Sequence, residues 1–227
     1  MIRAAFIVLS VFGVSATAFA QDVPSLRAHH ITLSAGMLWS GGYDVGDATA
    51  RLRGNGPGSS APAFTLFTAD SRISSATAPE FRVGLAVTPR IAFDGGVSFA
   101  QPRVAIAIAG DAEAPAQELI GEKLEQYQVD ARVTWQLPIA MGRRLAPFAS
   151  IGGGYLRQLH EDRGLAETGQ IYYAGGGVKY WMKGGNGASK AVGIGADARV
   201  TLRKDGIDFE NKTRPYPSVL LMLFVGL

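Results

Sequence analysis

Nine ionisable side chains in this sequence fall at the polar positions of stretches in which apolar and polar residues alternate: Glu80, Arg82, Asp94, Asp130, Arg132, Lys179, Asp197, Arg199 and Arg203. Successive side chains of an extended strand point to opposite faces, so these charges gather on the face away from the apolar one. Four are acids and five are bases, which nearly cancel. If that face lines a narrow enclosure, unpaired charge there would cost several kcal/mol, so a plug of paired networks is expected. The functional chemistry open to the same residues is an ion or proton path.

The other reactive residues offer less. His29 and His30 are adjacent, so on a strand they point apart and make a poor metal pair. His160 lies beside Glu161 and Asp162 and could be combined with Ser40 in a lipid-hydrolysing or acyl-transfer arrangement. No motif links the two. The segment Gly184-Gly185-Asn186-Gly187-Ala188-Ser189-Lys190 lacks the Gly-Lys-Ser/Thr order of a phosphate loop and precedes a strand, so it reads as a hairpin turn. No catalytic residue, metal ligand or cofactor is assigned. With no cysteine, disulfides and thiol chemistry are excluded. The net charge of +3 is spread without basic blocks, and nucleic-acid binding is not expected.

Eight alternating stretches must position these groups. Val192 to Arg203 is the clearest: Val192, Ile194, Ala196, Ala198, Val200 and Leu202 share one face, while Asp197, Arg199, Thr201 and Arg203 share the other. The remaining stretches run from Ile31 to Ser40, Glu80 to Thr88, Ile91 to Phe99, Gln126 to Leu137, Leu145 to Leu159, Tyr172 to Trp181, and Ser218 to Leu227. A period of two repeated eight times, apolar on one side, reads as an all-β, eight-stranded antiparallel up-and-down transmembrane barrel. Near Gln101-Pro102 the phase shifts, and a bulge is the simplest reading.

Pairing across the turns brings Gly175 and Gly177 near Asp197, and Gly152 near Asp130. Missing side chains on one strand leave room for large ones beside it. Connections alternate in length. Short ones lie at 88–90, 138–143 and 183–190; long ones at 41–77, 110–122, 161–168 and 205–213. Short periplasmic turns and long outer loops are the bacterial barrel pattern, which puts both termini in the periplasm. Outward Trp39, Phe81, Tyr127, Tyr155 and Tyr172 then fall near the outer ends, and Phe93, Trp135 and Tyr180 near the inner ends, as two aromatic girdles.

The first long connection carries Asp44, Asp47, Arg51 and Arg53, then the Gly/Pro/Ser-rich tract from Gly54 to Pro62. Phe64, Leu66 and Phe67 follow and are too apolar for a free loop. They either extend the adjoining strands above the membrane or fold over the barrel mouth. Long loops on a rigid scaffold are where binding usually lives.

Residues 1–20 have the layout of a secretion signal: Arg3, the apolar run from Ala4 to Val14, and the cleavage site Ala18-Phe19-Ala20. Residues 21–28 form a short lead-in, and residues 29–227 the barrel.

The eight-stretch pattern, the run Pro147-Phe148-Ala149-Ser150-Ile151-Gly152-Gly153-Gly154-Tyr155, the strand Gly175-Gly176-Gly177-Val178-Lys179-Tyr180 and the terminal strand resemble the small outer-membrane β-barrel proteins of Gram-negative bacteria. That superfamily includes barrel domains of the OmpA and OmpX kinds. The resemblance covers nearly all of the mature chain and implies an outer-membrane location among outer-membrane lipid and lipopolysaccharide. It also implies that the last strand, through Val219, Leu221, Leu223, Val225 and Leu227, is read by the barrel-assembly machinery. The chain ends in Leu227 where the family usually ends in an aromatic residue. A structural or surface-interaction role through the outer loops is the leading expectation, with a narrow pore as the alternative and a lipid-modifying enzyme as the second.

Overall fold

A computed structural model describes residues 30–52, 63–110, 116–139, 141, 144–160, 164–183, 191–207 and 212–227. The signal and lead-in segments, His29, Arg53, the 54–62 tract, Glu161, Asp162 and the 184–190 turn lie outside these residues.

Twelve strands occur among the described residues: β1 Ile31–Ser40, β2 Tyr43–Leu52, β3 Phe64–Ile73, β4 Ala76–Ala86, β5 Ile91–Ala100, β6 Arg103–Ala109, β7 Gln117–Lys123, β8 Glu125–Gln136, β9 Leu145–Leu159, β10 Ala166–Lys183, β11 Ala191–Asp205 and β12 Arg214–Gly226. Eight of them close a ring in the order β1-β12-β11-β10-β9-β8-β5-β4. Every pairing is antiparallel, and β1 closes the ring against β12 with Trp39 opposite Val219 and Leu33 opposite Val225. The start of β1 meets the end of β12 where Leu227 N–H donates to the Ile31 carbonyl at 2.8 Å. That end is called proximal below, and the opposite end distal.

The alternation is realised as the period-two reading requires. Ile151 is 64% exposed, Val129 57%, and Leu221 and Leu223 60% each. Their sequence neighbours Ser150, Asp130, Leu220 and Met222 are buried inside. A continuous belt of standing aliphatic side chains is untenable in water and is what hydrocarbon requires. Closure also removes the sheet edges that would otherwise need covering in lipid. Trp39, Tyr127, Tyr155, Tyr172 and Trp135 all face outward and exposed. Phe81 departs from the expected distal girdle. Strand β4 begins at Ala76, so Phe81 sits at its middle, opposite Ala35 of β1.

The distal end differs most from the sequence reading. The phase shift at Gln101-Pro102 is not a bulge within one strand. It separates β5, in the barrel, from β6, in a second sheet ordered β2-β3-β6-β7. Among their described residues, the long connections 41–77 and 110–122 are thus largely strands, and Phe64, Leu66 and Phe67 belong to β3. Of the two readings open for those residues, the extension of strands holds. Each strand of this sheet continues one barrel strand in the same lateral order, β2 from β1, β3 into β4, β6 from β5 and β7 into β8. The breaks at Gly41-Gly42, Ser74-Ser75, Gln101-Pro102 and Leu124 share one level and form a waist. Strand β10 likewise begins at Ala166, which shortens the expected 161–168 loop.

Candidate functional site

Buried polar and charged side chains occupy much of the lumen. Two ion-pair clusters occupy its middle. In the first, Arg82 binds Glu80 at 2.7 Å and Asp130 at 2.6 Å. Arg199 reaches the other side of Glu80 at 3.2 Å, and the Tyr173 hydroxyl donates to Asp130 at 2.5 Å. The Arg199 guanidinium lies over the Tyr173 ring, 4.7 Å from its centroid. In the second, Arg132 binds Asp94 at 3.2 Å through Nε and Asp197 at 2.7 Å through Nη1, while the Thr134 hydroxyl donates to Asp94 at 2.8 Å. These groups come from β4, β5, β8, β10 and β11, so both clusters tie walls across the ring.

The inward glycines explain how these long side chains fit. A Cβ on Gly96 would stand 2.5 Å from Arg82 Nη1, and one on Gly84 would stand 2.5 Å from Asp94 Oδ1. On β10, Gly177 lies opposite Asp197 as expected, and Gly175 opposite Arg199. On β9 the expected neighbour of Asp130 shifts by two residues: Gly154 is opposite Asp130, and Gly152 is opposite Arg132.

Two of the nine charges do not join an ion pair among the described residues. Lys179 is buried with Nζ 5.6 Å from the Phe148 ring centroid and 5.7 Å from that of Phe224, a cation–π setting. Trp181 meets Phe224 edge-on at 4.7 Å. Arg203 sits at the distal mouth and binds neutral acceptors. It donates to the Asp205 carbonyl at 3.0 Å, to Gln158 Oε1 at 2.7 Å, to the Ile207 carbonyl at 3.2 Å and to the Tyr43 hydroxyl. The turn after β11 supplies two of these acceptors as main-chain oxygens. That turn needs left-handed backbone at Asp205, with φ of 63°, and at Gly206, with φ of 82°. Glycine is also required at 206 because a Cβ there would lie 3.1 Å from Arg203 Cζ.

Arg203 thus anchors a distal closure. The Tyr43 ring stacks on Tyr216 at 5.1 Å and lies under the Arg203 guanidinium at 4.9 Å. Above them Val45, Ile73, Leu124 and Ile207 form a fully buried apolar cluster with Val104 packed against it. The waist of the second sheet is therefore pressed onto the barrel mouth. The sequence reading missed this cluster because Val45, Ile73 and Ile207 come from two connections taken as loops and Leu124 from just beyond a third. The apolar residues Val45 and Ile73 inside the first of these were the available signal.

Four buried atoms in the lumen have no hydrogen-bond partner among the described residues: Asp197 Oδ1, Ser150 Oγ, Arg82 Nε and Arg199 Nε. His160 binds Glu122 at 2.8 Å through Nδ1, which links β9 to β7. Ser40 lies on β1, and β1 and β9 are four places apart in the eight-strand ring. The two residues considered together in an acyl-transfer arrangement stand on opposite walls.

No protein-family model and no curated protein matches the sequence. Solved structures are similar in shape. The outer membrane protein OprG from Pseudomonas aeruginosa is 9% identical over 90% of this chain and 98% of its own, with a TM-score of 0.46. Ail, the attachment invasion locus protein of Yersinia pestis, is 14% identical over 88% of this chain and 98% of its own, with a TM-score of 0.37. The outer membrane protein AlkL, determined in DMPC lipid bilayers, is 14% identical over 93% of this chain and 96% of its own, with a TM-score of 0.41. The likeness says nothing of activity. By its own strand register the chain folds as a small eight-stranded transmembrane β-barrel, the architecture its sequence resembles.

Proposed function

We propose that this protein is an outer-membrane anchor that holds a four-stranded β-sheet above the outer membrane surface for contact with lipopolysaccharide or another surface partner. The observation that carries this reading is the pairing of a lumen largely occupied by buried side chains with a distal sheet seated on the mouth. Half of the barrel wall continues upward, and the buried cluster of Val45, Ile73, Leu124 and Ile207 ties the continuation to the barrel. Such a sheet is held at a defined height and orientation, which suits recognition and does not help conduction. In this reading the distal end faces outward and both termini face the periplasm. The terminal strand, through Val219, Leu221, Leu223, Val225 and Leu227, serves assembly by the barrel-assembly machinery.

The chain has no cysteine, so a single one introduced at Leu66 can be labelled without background. On intact Gram-negative cells a membrane-impermeant maleimide should label that variant. Labelling only after the outer membrane is broken would overturn the orientation.

A porin-like narrow pore for small solutes or ions is the second reading. The four unpartnered buried atoms in the lumen support it, because such atoms call for water. Planar-bilayer conductance of the refolded protein separates the two. Silence from folded protein supports the anchor; steady channels that shift with Arg132→Ala or Asp197→Ala support the pore.

A further inference from the structure

The two ends of the barrel differ in charge. The connections 87–90, 137–144 and 183–190 join strands at the proximal end. They carry Arg90, Arg143, Arg144, Lys183 and Lys190 and no aspartate or glutamate. The acidic side chains lie elsewhere. Apart from Asp22, which precedes β1, each belongs either to the lumen clusters or to a distal segment. The carboxylate at Leu227 follows β12, three places from β9 in the ring. Arg90, Arg144 and Lys183 are exposed, and none of them forms an ion pair among the described residues.

Arg144 shows the depth of this rim. It directly precedes β9, and its Nη1 donates to the Tyr180 hydroxyl at 3.4 Å. Tyr180 is an outward residue of the proximal girdle, where hydrocarbon meets water. The guanidinium thus turns back along the wall to headgroup level instead of extending into water. Apolar side chains stand exposed among the cations. Ile139 is 47% and Met141 53% exposed in the connection from β8 to β9, and Met182, beside Lys183, is 45% exposed. An acidic soluble partner would satisfy the cations and leave these side chains in water. A phospholipid covers both, with acyl chain against the apolar groups and phosphate against the cations.

The missing acids select the kind of phospholipid. A zwitterionic headgroup brings an ammonium along with its phosphate, and this rim offers that ammonium only like charge. An anionic headgroup brings no cation of its own. We propose that the proximal rim selectively binds anionic phospholipid of the adjoining leaflet. Arg144 and the Tyr180 hydroxyl hold one phosphate, and Arg90 and Lys183 extend the positive field to either side. Under the outward orientation proposed above this is the periplasmic leaflet; the lipid chemistry does not depend on that orientation.

The protein, purified in a mild detergent, would be mixed with equal amounts of phosphatidylglycerol and phosphatidylethanolamine of the same acyl chains. The lipid retained would be read by native mass spectrometry. Phosphatidylglycerol should be retained in preference. One cation beside an anionic headgroup layer is worth about fivefold in binding. The preference should fall by that factor in Arg144→Gln and further in Arg90→Gln/Arg144→Gln/Lys183→Gln. Lys204→Gln removes an exposed cation toward the distal end of β11 and should leave the preference unchanged. All four side chains are exposed, so heat-modifiable gel migration of the variants should match the parent. Equal retention of the two lipids by the parent would overturn the proposal and leave the rim to an acidic soluble partner. An undiminished preference in the triple variant would overturn it too, as would a loss in Lys204→Gln equal to that in Arg144→Gln. Because the assay uses no cells, its failure leaves the labelling test of orientation standing, and the converse holds.

Discussion

Replacing Arg82 by methionine tests the filled-lumen reading most directly. Arg82 bridges two carboxylates, Glu80 at 2.7 Å and Asp130 at 2.6 Å, and all three side chains are essentially excluded from solvent. Methionine keeps much of the volume and removes the charge. The Arg199 guanidinium still touches Glu80 and the Tyr173 hydroxyl still touches Asp130, so neither carboxylate is bare. Both would nonetheless lose their shortest ionic contact in a low-dielectric interior. Breaking a buried pair by removing one partner costs about 3–5 kcal/mol. With an unfolding slope near 2 kcal/mol per molar urea, the midpoint would fall by about 2 M. The assay is urea unfolding of protein refolded into lipid vesicles, followed by tryptophan emission and gel migration together. A double variant, Arg82→Met/Asp130→Asn, should recover part of the loss, since the remaining Glu80 keeps its ion pair with Arg199. A loss below about 1 kcal/mol for Arg82→Met would refute the reasoning. It would mean that water reaches the cluster, and the pore reading would then lead.

Adjacent glycines on opposite faces of β5 give a sharper contrast. Gly96→Ala should weaken folding markedly, because its Cβ would stand 2.5 Å from Arg82 Nη1 inside the lumen. Gly95→Ala, which meets only the Asp130 carbonyl at 3.9 Å, should be neutral or slightly stabilising in the same unfolding assay. Arg203→Leu should loosen the distal closure while leaving the barrel intact. Amide exchange should quicken at 43–45 and 205–207 and stay slow in β8 to β11, and unchanged exchange at the mouth would refute the anchoring role. Asp205→Gly should be tolerated or mildly stabilising, because the residue already has left-handed backbone, whereas Gly206→Val should break the turn. Thermal migration shifts compared across the two variants check this.

The barrel was legible because lipid and lumen impose opposite chemistry on alternate residues, and that contrast is written into the chain wherever a strand crosses the membrane. Val129 beside Asp130 and Val200 beside Arg199 carry it without any knowledge of neighbours. Inward placement of all nine charges follows from the same parity. The partners do not follow, because parity says nothing about which wall a side chain reaches. That Arg132 meets Asp197 across the ring, that Lys179 rests between Phe148 and Phe224, and that Arg203 binds a turn's carbonyls all depend on closure and stagger.

Beyond the barrel the local signal fails for a physical reason. Residues of β2, β3, β6 and β7 are solvated on one side and only partly covered on the other, so no strict alternation is enforced. Their glycine, serine and proline breaks look like loop punctuation. Only the tertiary structure shows that those breaks lie at one level and make a waist. It also shows that Val45, Ile73, Leu124 and Ile207, distant in sequence, seal the mouth. The sequence alone determined that the chain forms a membrane barrel with a charged interior, since burial in lipid acts residue by residue. Which charges pair, and how the second sheet sits on the barrel, was decided by long-range packing that the chain acquires only when the ring closes.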